Sequence, residues 1–193
     1  MPDSKIIATG KNVSIRECQN SDINEYAEWL KDPELASYAF GITTTKENLK
    51  KITDAFIIEL SLTPRRTLSI IDKEGNLLGF VRTTDVFFPA PHTTIGIMLG
   101  KFENCGRSFG YEALMLSINH LFNIKKIFYI ELDTAVFNER AMRCFLKCGV
   151  KIVKNFTEVE YITKVKMYKT LFRLNKKDFL AKYQEYIKSQ EKL

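Results

Sequence analysis

Apolar positions recur at helical spacing in two early stretches. Ile23, Tyr26, Ala27 and Leu30 fall at i, i+3, i+4 and i+7, and Leu49, Ile52, Phe56 and Leu60 form a second stripe. Such spacing predicts two amphipathic helices. Ser21 and Asp22 offer an N-cap for the first. Asp32-Pro33 stops it, because the residue before a proline avoids the helical region. Thr44 with Glu47 reads as a capping box for the second helix, and Pro64 closes it. Around them the pattern shortens to strands at 13–16, 67–71 and 77–83, the last two joined by the turn Asp72-Lys73-Glu74-Gly75-Asn76. The prolines of 87–92 predict a loop, and 94–99 predicts another strand. Residues 106–110 read as a glycine-bearing turn that opens a helix over 111–122. Residues 127–132 form an apolar, β-branched run that suits a buried strand. A helix over 138–147 ends at Cys148-Gly149, with Gly149 in the position that tolerates a left-handed backbone. Strands at 150–156 and 163–168 come next, and Asn175 can cap a last helix carrying Phe179, Tyr183, Tyr186 and Ile187. The order β-α-α-β-β-β-α-β-α-β-β-α predicts an α/β or α+β sandwich with a mixed sheet.

Composition narrows the class. A chain of 193 residues that is 45% hydrophobic and 27% charged suits one domain with a sizeable core. No run approaches the roughly 20 apolar residues of a membrane span, and residues 1–10 hold no apolar stretch of signal-peptide length. The expectation is a cytoplasmic protein without a membrane partner. The formal net charge is +6, much of it in the last thirty residues. A basic surface suits an anionic cofactor as well as nucleic acid, and no DNA- or RNA-binding motif is present. Cys18, Cys105, Cys144 and Cys148 form no CxxC set. With His92 and His120 distant in sequence they make a poor zinc site, so no metal is expected.

The chemistry is concentrated between Ile95 and Val150. The strand Ile95-Gly96-Ile97-Met98-Leu99 leads into Cys105-Gly106-Arg107-Ser108-Phe109-Gly110 and then into Glu112-Ala113-Leu114. A small-residue turn that opens a helix presents free backbone N–H groups, and with the helix dipole these cradle an anion. Arg107 can add a charge-assisted bond. Glycines before a helix are also ordinary turn residues. The turn is neither a P-loop, since GxxxxGK[ST] is missing, nor a dinucleotide fingerprint, since GxGxxG is missing.

The order of motifs adds what the turn alone lacks. Cys105, Ser108 and Gly110 occupy the marked positions of the Q/R-x-x-G-x-G/A turn of the GNAT superfamily of N-acetyltransferases. Asn138, Ala141, Phe145, Lys147, Gly149 and Val150 resemble its N-x-x-A/S-x-x-x-Y/F-x-K-x-G-F helix. Val13-Ser14-Ile15-Arg16, Asp22, Trp29-Leu30-Lys31-Asp32-Pro33-Glu34 and Leu77-Leu78-Gly79-Phe80 resemble the ribosomal-protein-acetyltransferase-like subgroup. The resemblance covers about residues 12–170.

This resemblance implies a GNAT fold, with a mixed, mostly antiparallel seven-stranded sheet that splays into a V and is flanked by helices. It implies one acetyltransferase domain over 1–174 with a helical extension of the same domain over 175–193. It implies acetyl-CoA as co-substrate, held by Ile97, Met98 and Leu99 along the central strand, by 105–110 at the pyrophosphate, and by Asn138 and Phe145. The acceptor would be a primary amine, on a protein N-terminus or a small molecule, attacking the thioester directly from a side built of the first two helices, Tyr38-Ala39-Phe40 and the loop 87–92. The chain would be a monomer or a homodimer, and the single tryptophan, Trp29, matches a core position. Four positions depart from the pattern. Cys105 and Ser108 replace the usual residues of the turn. Phe145 stands where many members carry a proton-donating tyrosine, and Thr94 where many carry a glutamate base. Replacement bases are His92, just before the central strand, and Glu103, just after it. Cys144, beside the lost tyrosine, is a helical thiol that could act as a weak acid or simply pack in the core. The departures also leave open a catalytically weak domain that acts as an acyl-CoA-binding or regulatory module.

Overall fold

In the computed structural model, which describes residues 5–86, 88–124 and 126–191, one sheet of eight strands runs in the order β1-β2-β3-β4-β5-β6-β8-β7. Its strands are β1 (Ile6–Thr9), β2 (Ser14–Glu17), β3 (Thr67–Ile71), β4 (Leu77–Thr83), β5 (His92–Leu99), β6 (Tyr129–Ala135), β7 (Lys151–Val159) and β8 (Lys166–Asn175). Only the β5–β6 junction of this sheet is parallel. Among the described residues, six α-helices cover the two faces: α1 (Asn20–Trp29), α2 (Pro33–Phe40), α3 (Lys46–Leu62), α4 (Phe109–Ile124), α5 (Glu139–Lys147) and α6 (Lys176–Glu191).

The two faces bury separate cores. Ile23, Tyr26, Leu30, Leu49, Ile52 and Leu60 from α1 and α3 close on Phe80 of β4 and Met98 of β5. Trp29 belongs to this core, its ring 5.5 Å from that of Tyr26. On the opposite face α4 is buried along nearly its whole length against Ile95, Ile130, Leu132 and Phe172. The α6 residues Phe179 and Tyr186 join that core. Strand alternation assigns each side chain to a face. His92, Thr94, Gly96 and Met98 face α1–α3, and Ile95, Ile97 and Leu99 face α4.

Two buried carboxylates tie the layers together. Asp22 on α1 accepts from Arg16 Nη1 at 2.6 Å, Arg16 Nη2 at 2.7 Å, the Gln19 amide at 2.9 Å and Ser69 Oγ at 2.6 Å. Because a carboxylate only accepts, Ser69 donates to it, and the Tyr26 hydroxyl must then donate to Ser69, 2.7 Å away. Burial pushes the Tyr26 phenol far above its ordinary pKa. On the other face Glu112, 2% exposed, accepts from the Asn12 amide, from Asn12 Nδ2 at 2.9 Å and from the Tyr186 hydroxyl at 3.3 Å.

The structure corrects several sequence expectations. The sheet has eight strands rather than seven, because Ile6–Thr9 pairs with β2. α1 already ends at Trp29, and Asp32-Pro33 starts α2: the Asp32 carboxylate caps Glu34 N and Leu35 N, and Pro33 takes the first helical turn, where its missing N–H costs nothing. Gln19, not Ser21 or Asp22, is the N-cap of α1, and Asp22 closes the capping box from the third helical position. The α3 cap is Thr45, one residue beyond the expected Thr44, its Oγ1 accepting from Asn48 N. His92 begins β5 instead of lying in a loop, and Phe87 of that segment lies outside the described residues. The strand expected at 127–132 is Tyr129–Ala135, and those expected at 150–156 and 163–168 extend to Val159 and Asn175. Gly149 does follow the C-cap of α5, Cys148, with φ +89°.

Candidate active site

The parallel junction is where the sheet opens. β5 and β6 pair only through His92–Tyr129, Thr93–Ile130 and Thr94–Glu131. From there β5 stays with β4, pairing Ile95 to Leu99 with Thr83 to Gly79, while β6 stays with β8. Among the described residues no strand pairs with the β6-facing edge of β5 beyond Thr94. The result is a wedge whose two facing strand edges, β5 beyond Thr94 and β6 beyond Glu131, pair with no strand among the described residues. A cleft of about 120 Å³ occupies it, walled by Gly96 and Ile97 of β5, Asp133, Thr134 and Ala135 of β6, and Tyr38 to Gly41 from the end of α2. Asn138, Ala141 and Phe145 of α5 and Lys169 of β8 complete it.

The turn beyond β5 leads to the start of α4. Its first intrahelical bond runs from Glu112 N to the Ser108 carbonyl, so the amides before Glu112 have no acceptor within the helix. Gly106 has φ +79° and Ser108 has φ +66°. The second value shows that this position does demand the left-handed region, which a serine enters at a cost of about 1 kcal/mol. Relief of that strain and the greater unfolded-state entropy of glycine oppose each other. Ser108→Gly is therefore expected to change stability by less than about 0.5 kcal/mol, whereas the β-branched Ser108→Val should lose about 2 kcal/mol. Urea denaturation of the two variants measures the difference, and equal loss in both would refute the reading.

The remaining turn residues take distinct places. Arg107 is exposed, with its guanidinium 5.0 Å from the Phe109 ring centroid. Cys105 is half-buried, and burial raises its pKa. A Cβ at Gly110 would stand 3.7–3.8 Å from Ile97 Cδ1, Leu99 Cδ1 and Cys144 Sγ, so this glycine sits where α4, α5 and β5 converge. Cys144 pairs by hydrogen bond with Cys148 one turn on, and that bond leads the causes that lower its pKa. Along β5, Ile97 and Leu99 are half-buried, whereas Met98 is spent in the α1–α3 core.

Asn138 is the N-cap of α5, its Oδ1 accepting from Ala141 N at 3.1 Å. That leaves the amide NH₂ as the donor it can turn to the cleft. Phe145 is 3% exposed and packs edge-on against Phe172 at 5.6 Å, so it presents a ring edge and no proton.

The two candidate bases are far from equivalent. Glu103 is exposed on the 3-10 turn Phe102–Asn104 and lines a different pocket, with Glu28, Trp29, Asp32 and Leu35. His92 lies at the vertex of the wedge. Its Nδ1 is 2.8 Å from the Ala90 carbonyl and must donate to it, since a carbonyl only accepts. Its Nε2 faces Glu131 Oε2 at 3.7 Å, and its ring stacks on Tyr129 at 4.6 Å. Arg173 in turn holds Glu131, at 2.7 Å.

The charged lining of the cleft carries no sequence motif. Lys169 Nζ lies 2.9 Å from Asp133 and 3.0 Å from Glu158. Burial works against its charge, but the two carboxylates outweigh that and hold its pKa above the ordinary lysine value. Asp133 and Lys169 line the cleft and offset each other in charge, while Glu158 reaches Lys169 from β7. Tyr38 borders the same cleft: Arg140 of α5 lies 4.7 Å from the ring centroids of both Tyr38 and Phe102, bridging α2 and α5. The only advance signal is the alternation of Glu131 and Asp133 within an otherwise apolar strand.

Among curated proteins, none matches the chain's sequence. Solved structures match its fold. An acetyltransferase (GNAT family) from Bacillus anthracis superposes with a TM-score of 0.69 at 15% identity, over 90% of this chain and 99% of that one. Spermidine N-acetyltransferase from Vibrio cholerae, in complex with CoA and spermine, gives 0.66 at 17% identity over 87% and 98%. A ribosomal L7/L12 alpha-N-protein acetyltransferase in complex with coenzyme A gives 0.69 at 11% identity over 89% and 98%. The profile of the acetyltransferase (GNAT) domain matches residues 12–151. With that match over most of its length, and with a mostly antiparallel sheet that opens between two parallel strands, the chain belongs to the GNAT family of acetyltransferases.

Proposed function

We propose that this enzyme transfers an acetyl group from acetyl-CoA to a primary amine bound on the α1–α3 side of the wedge. The observation that carries the reading is the unpaired edge of β5 beyond Thr94, which leads from the cleft toward the open amides at the start of α4. A pantetheine arm is an amide chain that such an edge suits, and a pyrophosphate is the anion that a helix N-terminus suits. Residues 105–110 and the Asn138 amide would hold this co-substrate, and its thioester supplies the activated acetyl group. Two relatives of the same fold carry coenzyme A in their structures.

The chain's own residues would then align the acceptor and move its proton. The Asp133 carboxylate on the cleft lining offers a partner to an acceptor that arrives as an ammonium ion. His92 is the base we assign. With Nδ1–H given to Ala90, Nε2 is the acceptor nitrogen, and Glu131 stands ready to stabilise the imidazolium that forms. Alignment supplies the larger share of the rate, since thioester aminolysis gains most from being made unimolecular.

The acceptor class follows the subgroup resemblance only as far as "primary amine". Both a polyamine and a protein N-terminus are substrates of relatives with this fold. A thiol-release assay with acetyl-CoA and a panel of polyamines, amino sugars, amino acids and peptide N-termini decides between them. Turnover of at least one amine is expected, and His92→Ala is expected to lower its kcat. Activity on hydroxyls or thiols alone would overturn the acceptor assignment. Tight acetyl-CoA binding without turnover of any amine would favour a binding or regulatory module.

A further inference from the structure

β7 closes the sheet on the side away from β1, and among the described residues no strand pairs with its outer edge. It is nine residues long, and all but the half-buried Phe156 are exposed. Neither helical layer covers it, so both faces are open as well as the edge, with Ile152 59%, Val153 44% and Val159 55% exposed. Long bare edges with apolar side chains are ordinarily blunted, because they template pairing with another chain. Here the blunting is confined to one end: a bulge between Ile152 and Lys154 breaks the ladder there and leaves 154–159 regular.

The regular stretch is complementary to itself. Two copies paired antiparallel about a two-fold axis match residue i with residue j at a constant, even sum, since facing residues must share a face. Centred on Phe156, that rule sets Lys154 against the partner's Glu158, Asn155 against the partner's Thr157, and Phe156 against the partner's Phe156. The symmetry repeats the first two pairs, so one window of five residues yields two ion pairs, two polar pairs and a central aromatic pair. Shifting the centre to Asn155 sets Lys154 against the partner's Phe156. Shifting it to Thr157 sets Glu158 against the partner's Phe156 and Lys154 against the partner's Glu160, which lies past the end of β7 with its carboxylate already held by Ile162 and Thr163. Both registers lose the ion pairs within the window. The side chains are already in place on one face: Lys154 Nζ lies 6.0 Å from the Phe156 ring centroid, and Glu158 is anchored by Lys169.

We infer that β7 is the dimerisation edge of this protein, joining two copies into one continuous sheet centred on Phe156. Phe156 pairs with Lys169 of β8, which pairs with Ala135 of β6. The partner's strand therefore extends the face on which the acceptor side of the cleft opens, three strands out from β6. A ladder of five residues is a small interface, which sets a modest affinity.

Charge complementation tests both the edge and its register. Lys154→Glu would set a carboxylate against the partner's Glu158, and Glu158→Lys would set an ammonium against the partner's Lys154. Mixed, the two variants recover attraction at both ion pairs. Sedimentation velocity of the full chain over about 1–200 µM, a range that brackets a weak interface, should give a wild-type dimer of twice 22.3 kDa. Each variant alone should dissociate about tenfold more readily, and the mixture should return to within about threefold of wild type. Circular dichroism confirms that each variant is folded, which matters for Glu158→Lys because Glu158 also holds Lys169. The register has its own readout. Phe156→Cys should cross-link to itself under mild oxidation, since facing residues lie about 4.5–5.5 Å apart and a disulfide spans that distance. Asn155→Cys should not, with the wild-type cysteines as background. A wild-type chain monomeric throughout the range, a Lys154→Glu variant as dimeric as wild type, or equal cross-linking of the two cysteine variants would each overturn the inference.

Discussion

Gly96→Val is expected to leave the fold intact and to remove most of the activity. Gly96 pairs with Arg82 across β4 and lines the cleft two residues past Thr94, the last β5 position paired with β6. A Cβ added there meets nothing within 4 Å, and the residue is exposed. The backbone is extended strand, so a β-branched residue suits it and should raise stability by about 0.5–1 kcal/mol relative to glycine. The new side chain points into a space of about 120 Å³ where the reacting groups would meet. Displacing one of them by about 1 Å is enough to cost roughly 100-fold in rate. kcat/KM and a thermal melt on the same preparation check both halves, with Gly96→Ala expected to lie between. Undiminished kcat/KM in the valine variant would move the reaction out of this cleft.

Asp22→Ala should have the largest effect on stability. Asp22 and Arg16 are 6% and 12% exposed in their side chains, and the carboxylate also serves the Gln19 amide and Ser69. Deleting it strands a nearly buried guanidinium and breaks the chain through Ser69 to Tyr26. Removal of one member of a buried pair costs about 3–5 kcal/mol, a large part of the roughly 5–15 kcal/mol that holds a domain folded. The loss should depend on pH. Burial acts to raise the Asp22 pKa, but Arg16, the Gln19 amide and Ser69 outweigh it, and the folded value lies below the ordinary one. A depressed folded value means that the contribution is complete above the unfolded pKa of about 3.9 and disappears as pH falls through the folded value. Urea unfolding of wild type and variant should therefore diverge at pH 7 and draw together as pH falls below the ordinary aspartate value. A gap that is constant over this range would refute the assignment to the ionised carboxylate.

The legible parts of the sequence are those where one local signal decides. The stripes of α1 and α3, the hairpin at Asp72–Asn76 and the end of α5 at Gly149 all stem from spacing or from a single glycine. The other parts need information from elsewhere in the chain. Ile6–Thr9 is too short to announce itself, and only its pairing with β2 makes it a strand. Asp32-Pro33 reads as a stop, yet α1 already ends at Trp29 and these two residues begin the next helix. At the site, the turn and Asn138 are visible because backbone conformation and helix capping are local. Asp133, Glu158 and Lys169 are not, because each lies on a different strand and only the sheet order brings them together. The need for a positive φ at Ser108 is a question that the sequence can pose but not answer.

The buried Glu112 sets an order on the life of the chain. Its carboxylate, near the middle of the sequence, receives Asn12 from one direction and Tyr186 from the other. During synthesis the contact to Asn12 can form as soon as α4 emerges, but the one to Tyr186 must wait for α6. β6 waits too, because β8, which zips along its whole length, is made after β7. A nascent chain stopped before residue 166 thus holds one complete wall of the wedge and one with a bare outer edge, so the cleft between β5 and β6 is among the last parts of the molecule to be finished.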